Sequence, residues 1–150
     1  MAIIHRATTR DLPALAPLFD AYRQFYEQTS NIAGAHDFLA QRMANDESVL
    51  LIAQRDAVAV GFVQLYPTFS SVRMGRVWTL NDLYVAPDAR RHGVGRALLD
   101  AAVAFAGGDG ALGLQLETGG DNRQAQALYR RAGWTQDTNL HFHIDCRGLP

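Results

Sequence analysis

The sequence predicts an α/β domain around a mixed sheet. Short runs rich in Val, Leu and Ile alternate with longer stretches whose apolar residues recur at helical spacing. Read in order they give β-α-α-β-β-β-α-β-α-β, a pattern that covers a sheet with helices. A glycine-bearing, arginine-rich junction between a strand and a helix, residues 90–96, is the chemically distinctive part of that order.

The elements follow from local signals. "AIIHRA" reads as a first strand. "TTRDLPALAPLFDAYRQFY" is helical, with Thr8 and Asp11 at capping-box spacing and Leu12, Leu15, Ala16 and Phe19 as one stripe. Pro17 is expected to kink this helix. "AHDFLAQRMAND" gives a second helix. "SVLLIAQR" and "AVAVGFVQLYP" form a strand pair around the turn Arg55-Asp56, and "RVWTLNDLYV" is a strand stopped by Pro87. From Val94 an apolar face runs through Ala97, Leu98, Ala101, Ala102 and Phe105 until the glycines from Gly107 end it. "ALGLQLET" is a strand and "NRQAQALYRRAG" a helix with Gly133 just past its end. "NLHFHIDC" is a final strand, with a further short one expected at Trp134.

Composition bounds the function. The 150 residues, 48% of them hydrophobic and 19% charged, fit one domain spanning 1–150 with a sizeable core. Basic and acidic residues nearly balance, 14 against 15, which leaves no broad positive field, so no nucleic-acid partner is expected. Every basic residue is arginine, and the absence of lysine excludes a Walker A loop and Schiff-base chemistry. The single Cys146 cannot form an internal disulfide, and no apolar run reaches the roughly 20 residues that span a bilayer. A cytoplasmic protein without membrane attachment is expected.

The junction "APDARRHGVGRALL" answers to phosphate chemistry. The first N–H groups of a helix lack internal acceptors and carry the positive end of its dipole, and glycine lets an anion approach them. Arg90, Arg91, His92 and Arg96 add positive charge. The dinucleotide fingerprint is incomplete, since Leu98 occupies its third small position, and too little chain follows to complete that fold.

These residues resemble the GCN5-related N-acetyltransferase (GNAT) superfamily. Its signature Arg/Gln-x-x-Gly-x-Gly/Ala corresponds to Arg90, Gly93 and Gly95. "ATTRDLPAL" is similar to its first strand-helix junction, and "NRQAQALYRRAGW" to its downstream helix, with an Asn and a Tyr at Asn122 and Tyr129. In texture the chain is most similar to the subgroup of diamine and small histone/polyamine acetyltransferases. The resemblance implies a mixed, mostly antiparallel sheet of six to seven strands flanked by four helices. It implies acetyl-CoA as co-substrate and an amine of a small molecule or peptide as acceptor. By resemblance, the backbone of Arg91, His92, Gly93, Val94, Gly95 and Arg96 holds the pyrophosphate. Leu83, Tyr84 and Val85 pair with the pantetheine arm, and Asn122 helps fix it. Tyr129 is the general acid for the leaving thiolate, and a homodimer is expected.

Amine acetylation needs a base as well. A primary alkyl ammonium with a pKa of about 10.4 is only about 0.04% neutral at pH 7. Related diamine acetyltransferases carry an acid where this chain has Asn81, and an amide takes no proton at neutral pH. Asp82 is adjacent, but strand alternation turns it to the opposite face unless a bulge intervenes. Asp82, Glu117 and a water chain all stand as candidates. Tyr22, Phe25, Tyr26, Tyr66 and Phe69 are candidates for lining the acceptor site, although each also suits ordinary packing. His141 and His143 lack a third ligand, so no metal is expected. A binding module that kept the acyl-CoA loop and lost turnover is the alternative function.

Overall fold

The computed structural model describes all residues, 1–150. Nine regular elements follow one another: β1 Ile3–Arg6, α1 Leu12–Phe25, α2 Ile32–Ala44, β2 Val49–Arg55, β3 Val58–Ser70, β4 Gly75–Val85, α3 Val94–Gly108, β5 Gly113–Gln115 and α4 Arg123–Arg131. The sheet order is β1-β2-β3-β4-β5. The first four strands are antiparallel neighbours, and β5 joins β4 in parallel.

Local chemistry explains the helix starts. Asp11 accepts the Thr8 N–H while the Thr8 side chain caps the turn in return, and Pro13 enters at the first turn of α1, where no N–H is needed. Pro17 lies on the exposed side of a helix that runs unbroken from Leu12 to Phe25. Gly133, at φ 89, adopts the left-handed conformation just past α4.

Two cores sandwich the sheet. On one face Leu12, Leu15 and Phe19 of α1 and Leu39 of α2 pack against Ile52, Phe62 and Tyr84. On the other, Val94, Leu98, Leu99 and Ala102 of α3 pack against Leu51, Val63, Leu65, Trp78 and Leu80. These two sets show that β4 changes face along its length. Trp78 and Leu80 point toward α3, whereas Tyr84 points toward α1. The register gives the cause: Gln64 pairs with Asp82 and Leu65 with Leu80, so Asn81 is an extra residue in β4.

Two expectations are corrected. The sheet has five strands rather than six or seven: "NLHFHIDC" and the stretch at Trp134 form none, and residues 135–150 are exposed without regular structure. The strand expected over 111–118 spans only Gly113–Gln115. Both shortfalls have one origin. A strand exists by pairing, and β5 has a neighbour on one side only.

Candidate functional site

β4 and β5 are paired only at Val77, Trp78 and Thr79. Beyond Thr79 they splay, and the edge of β4 from Leu80 to Val85 is open. The Ala86 N–H donates to Val60 O on the β3 side, so by alternation the N–H groups of Leu83 and Val85 point to the open edge. The splay opens into a cleft of about 540 Å³, walled by β4, the start of α3, residues 116–118, α4 and the end of α1.

At one end of the cleft lies the start of α3. Arg91 at φ 65 and Gly93 at φ 80 are both left-handed, which bends the chain so that successive peptide N–H groups face the same way. Arg90 N donates to Pro87 O and Ala97 N to Gly93 O, but the N–H groups from Arg91 through Arg96 find no acceptor in the chain. They are free to bind an anion. At Gly95 an added Cβ would lie 3.4 Å from Leu128 and 3.9 Å from Val85, so its absence keeps open the space between β4 and α4.

The basic side chains divide. The Arg90 guanidinium donates to Val85 O at 2.9 Å and lies over the Tyr84 ring. Arg96 bonds Asp100 and the Arg131 carbonyl, tying α3 to α4. Arg91 and His92 are exposed; Arg91 lines the cleft and His92 does not. Asn122 lines the cleft and caps α4 by accepting the Ala125 N–H.

At the other end stand Tyr129 from α4, Tyr22 and Phe25 from the last turn of α1 and Tyr26 just past it, all lining the cleft. Burial, then the neighbouring Tyr26, raises the Tyr129 pKa, so its hydroxyl carries its proton at neutral pH. Burial, followed by the Asp82 charge, raises the pKa of Tyr22 further, and the same two causes hold Tyr66 up at about 12. Glu117 lines the cleft, while Tyr66 and Phe69 do not.

The bulge at Asn81 decides where Asp82 goes. It turns the carboxylate to the α1 face, where it is 4% exposed. Gln64 Nε2 donates to Asp82 at 2.6 Å and Asn81 Nδ2 at 2.9 Å. Gln64, a polar residue in the otherwise apolar run Val58–Leu65 and 0% exposed, was not singled out in the sequence, although that oddity is its signal. Asp20 was missed in the same way, although it falls four residues after Ala16 on a buried stripe. It accepts from Ser30 Oγ at 2.7 Å and from the Asn31 N–H at 2.6 Å, anchoring the α1–α2 loop, and these bonds hold its pKa below the usual value.

Comparison with known proteins agrees with this geometry. The acetyltransferase (GNAT) family model matches residues 15–134. An uncharacterized N-acetyltransferase of Bacillus subtilis, YhfO, is 49% identical over 98% of this chain and 97% of its own. An aminoglycoside N(6')-acetyltransferase type 1 of Klebsiella aerogenes is 35% identical over 73% of this chain and 72% of its own. The crystal structure of a probable acetyltransferase superposes with a TM-score of 0.90 at 40% identity, covering 95% of this chain and 98% of that one. The GNAT family works with acetyl-CoA, and free peptide N–H groups at a helix start beside an open strand edge suit a diphosphate on an extended arm. This chain belongs to the GNAT family and is an N-acetyltransferase.

Proposed function

We propose that the protein, as one catalytic domain over residues 1–150, moves the acetyl group of acetyl-CoA to a primary amine by direct attack. The observation that carries this reading is the run of unpartnered N–H groups from Arg91 to Arg96 beside the open edge of β4. The diphosphate binds that run, and the pantetheine arm pairs with Leu83 to Val85 as an added strand. The Val85 N–H faces the thioester oxygen, where one such donor stabilises the developing charge by roughly 3 kcal/mol. Arg90 serves this end by holding Val85 rather than by meeting phosphate directly. Asn122 steadies the arm.

Two proton transfers complete the reaction. Tyr129 protonates the leaving thiolate, whose pKa is near 8.5. Asp82 is the base for the ammonium, which a carboxylate behind an aromatic wall also attracts. The acceptor is a small, multiply charged amine. Support comes from the diamine-like texture of the sequence and from the likeness to an enzyme named for an aminoglycoside. The single cysteine fits a cytoplasmic location.

We extend the proposal to a homodimer. Leu140, Phe142 and Ile144 alternate along the C-terminal segment and are 80%, 90% and 78% exposed, and the outer edge of β5 is unpaired. Exchange of this segment between two copies covers both. Sedimentation is expected to give a dimer, and a chain ending at Trp134 a monomer; a monomeric full chain overturns this part.

Thiol release from acetyl-CoA across a panel of primary amines tests the reaction. Amine-dependent release is expected. No release with any amine, together with no heat of acetyl-CoA binding by calorimetry, overturns the reading.

A further inference from the structure

The base proposed above has an access problem. Asp82 is 4% exposed and does not line the cleft, whereas the acceptor nitrogen must reach the thioester from within it. Something must stand between them. Resting on the assignment of Asp82 as base, we propose that Tyr22 is a catalytic residue that relays the acceptor's proton from the cleft to the Asp82 carboxylate.

Three observations meet at this side chain. Tyr22 lines the cleft. Its hydroxyl donates at 3.5 Å to the carbonyl of Asn81, the bulge residue, whose own side chain donates to Asp82 at 2.9 Å. Its ring is held on several sides, edge-on to Phe62, Tyr84 and Tyr26 and stacked on Phe19, so the hydroxyl has little freedom to leave. The titratable groups around it are Asp82 and Tyr84 from β4, Tyr26 just past the end of α1 and Tyr129 from α4. Of these, Asp82 alone is a carboxylate; the Tyr22 hydroxyl rests on the carbonyl of the residue before it and has only to turn about its C–O bond to aim its proton at the carboxylate, whose charge, after burial, raises the Tyr22 pKa.

The step balances without an ionised phenol. The ammonium gives one proton to the Tyr22 oxygen as the Tyr22 hydroxyl proton passes to an Asp82 oxygen. A neutral amine, a neutral tyrosine and a protonated Asp82 result, with the amine's electron pair now free for the thioester carbon. Because burial and Asp82 both disfavour the phenolate, a concerted transfer is the one open to this residue. Gln64 Nε2 and Asn81 Nδ2 keep the carboxylate oriented meanwhile.

The test uses the full chain, acetyl-CoA and the primary alkyl amine of highest kcat/KM in the panel. Tyr22→Phe and Asp82→Asn are each expected to lower kcat/KM by about 100-fold near pH 7. The double variant should fall no further than the worse single one, because the two act as a unit. Both defects should narrow as pH rises toward about 10, where the amine loses its proton unaided. The KM for acetyl-CoA should hold, which separates the relay from a packing role. Tyr22→His, whose ring can pass a proton, should recover at least part of what Tyr22→Phe loses. A Tyr22→Phe enzyme with the wild-type pH profile beside an impaired Asp82→Asn overturns the relay and leaves the base standing. Two unimpaired variants overturn both, and a wild-type chain that binds acetyl-CoA but releases no thiol overturns acetyl transfer itself.

Discussion

From Arg91 to Arg96 successive peptide N–H groups stand without acceptors, whereas behind the other end of the cleft the side chains of Gln64 and Asn81 donate to the Asp82 carboxylate and the Tyr22 hydroxyl donates to the Asn81 carbonyl beside it. The first end of the cleft is built from backbone, the second from side chains. Backbone recognition tolerates almost any side chain except where glycine is required, and it suits a ligand that does not vary. Side-chain recognition can be retuned residue by residue, and it suits the acceptor, which differs among acetyltransferases. One cleft thus pairs a fixed half with an adjustable half.

The comparison can be broken where the halves meet. Tyr129→Phe should lower kcat by about 10²- to 10⁴-fold with the KM for acetyl-CoA nearly unchanged, read by thiol release. A parallel rise in that KM would mean that Tyr129 packs against the cofactor instead. The next effect is on the backbone half. Gly95→Val puts methyl groups into the gap between Leu128 and Val85, and overpacking of about 1–3 kcal/mol corresponds to roughly 10- to 100-fold weaker acetyl-CoA binding by calorimetry. Gly93→Ala meets no neighbour but must hold φ at 80, at about 1–2 kcal/mol, so its effect should be near tenfold.

The smallest effect sharpens the other half. Asp20 has a lowered pKa in the fold, so its contribution to stability is present above the ordinary carboxylate value of 3.8 and is lost as pH falls through the lower folded value. Asp20→Asn should therefore lower Tm at neutral pH, and its gap to wild type should close below about pH 3.8. The loop that Asp20 anchors follows Phe25 and Tyr26, so any kinetic change should appear in the acceptor KM and not in that for acetyl-CoA.

The same division governs what the sequence disclosed. The backbone half was legible because a left-handed turn and a close approach leave glycine behind, and a helix start leaves its apolar stripe from Val94. The side-chain half was not. Asp82 reaches the α1 face only through the extra residue Asn81, and a bulge is a matter of how β3 and β4 align, which neither strand states alone. Gln64 acquires its meaning from the same alignment. At the chain's end, Leu140, Phe142 and Ile144 keep the alternation of a strand, yet no strand forms, because pairing depends on a neighbour distant in sequence or on another copy.

The bond from Arg90 to Val85 has a mechanical consequence. In the binding mode we propose, it fastens the grip on the diphosphate to the strand tip that faces the reacting carbonyl, so the span between them is set by the protein. The cleft then behaves as a ruler for its donor. A thioester whose arm is cut short can occupy one mark or the other but not both, and its acetyl group will sit out of reach however reactive it is.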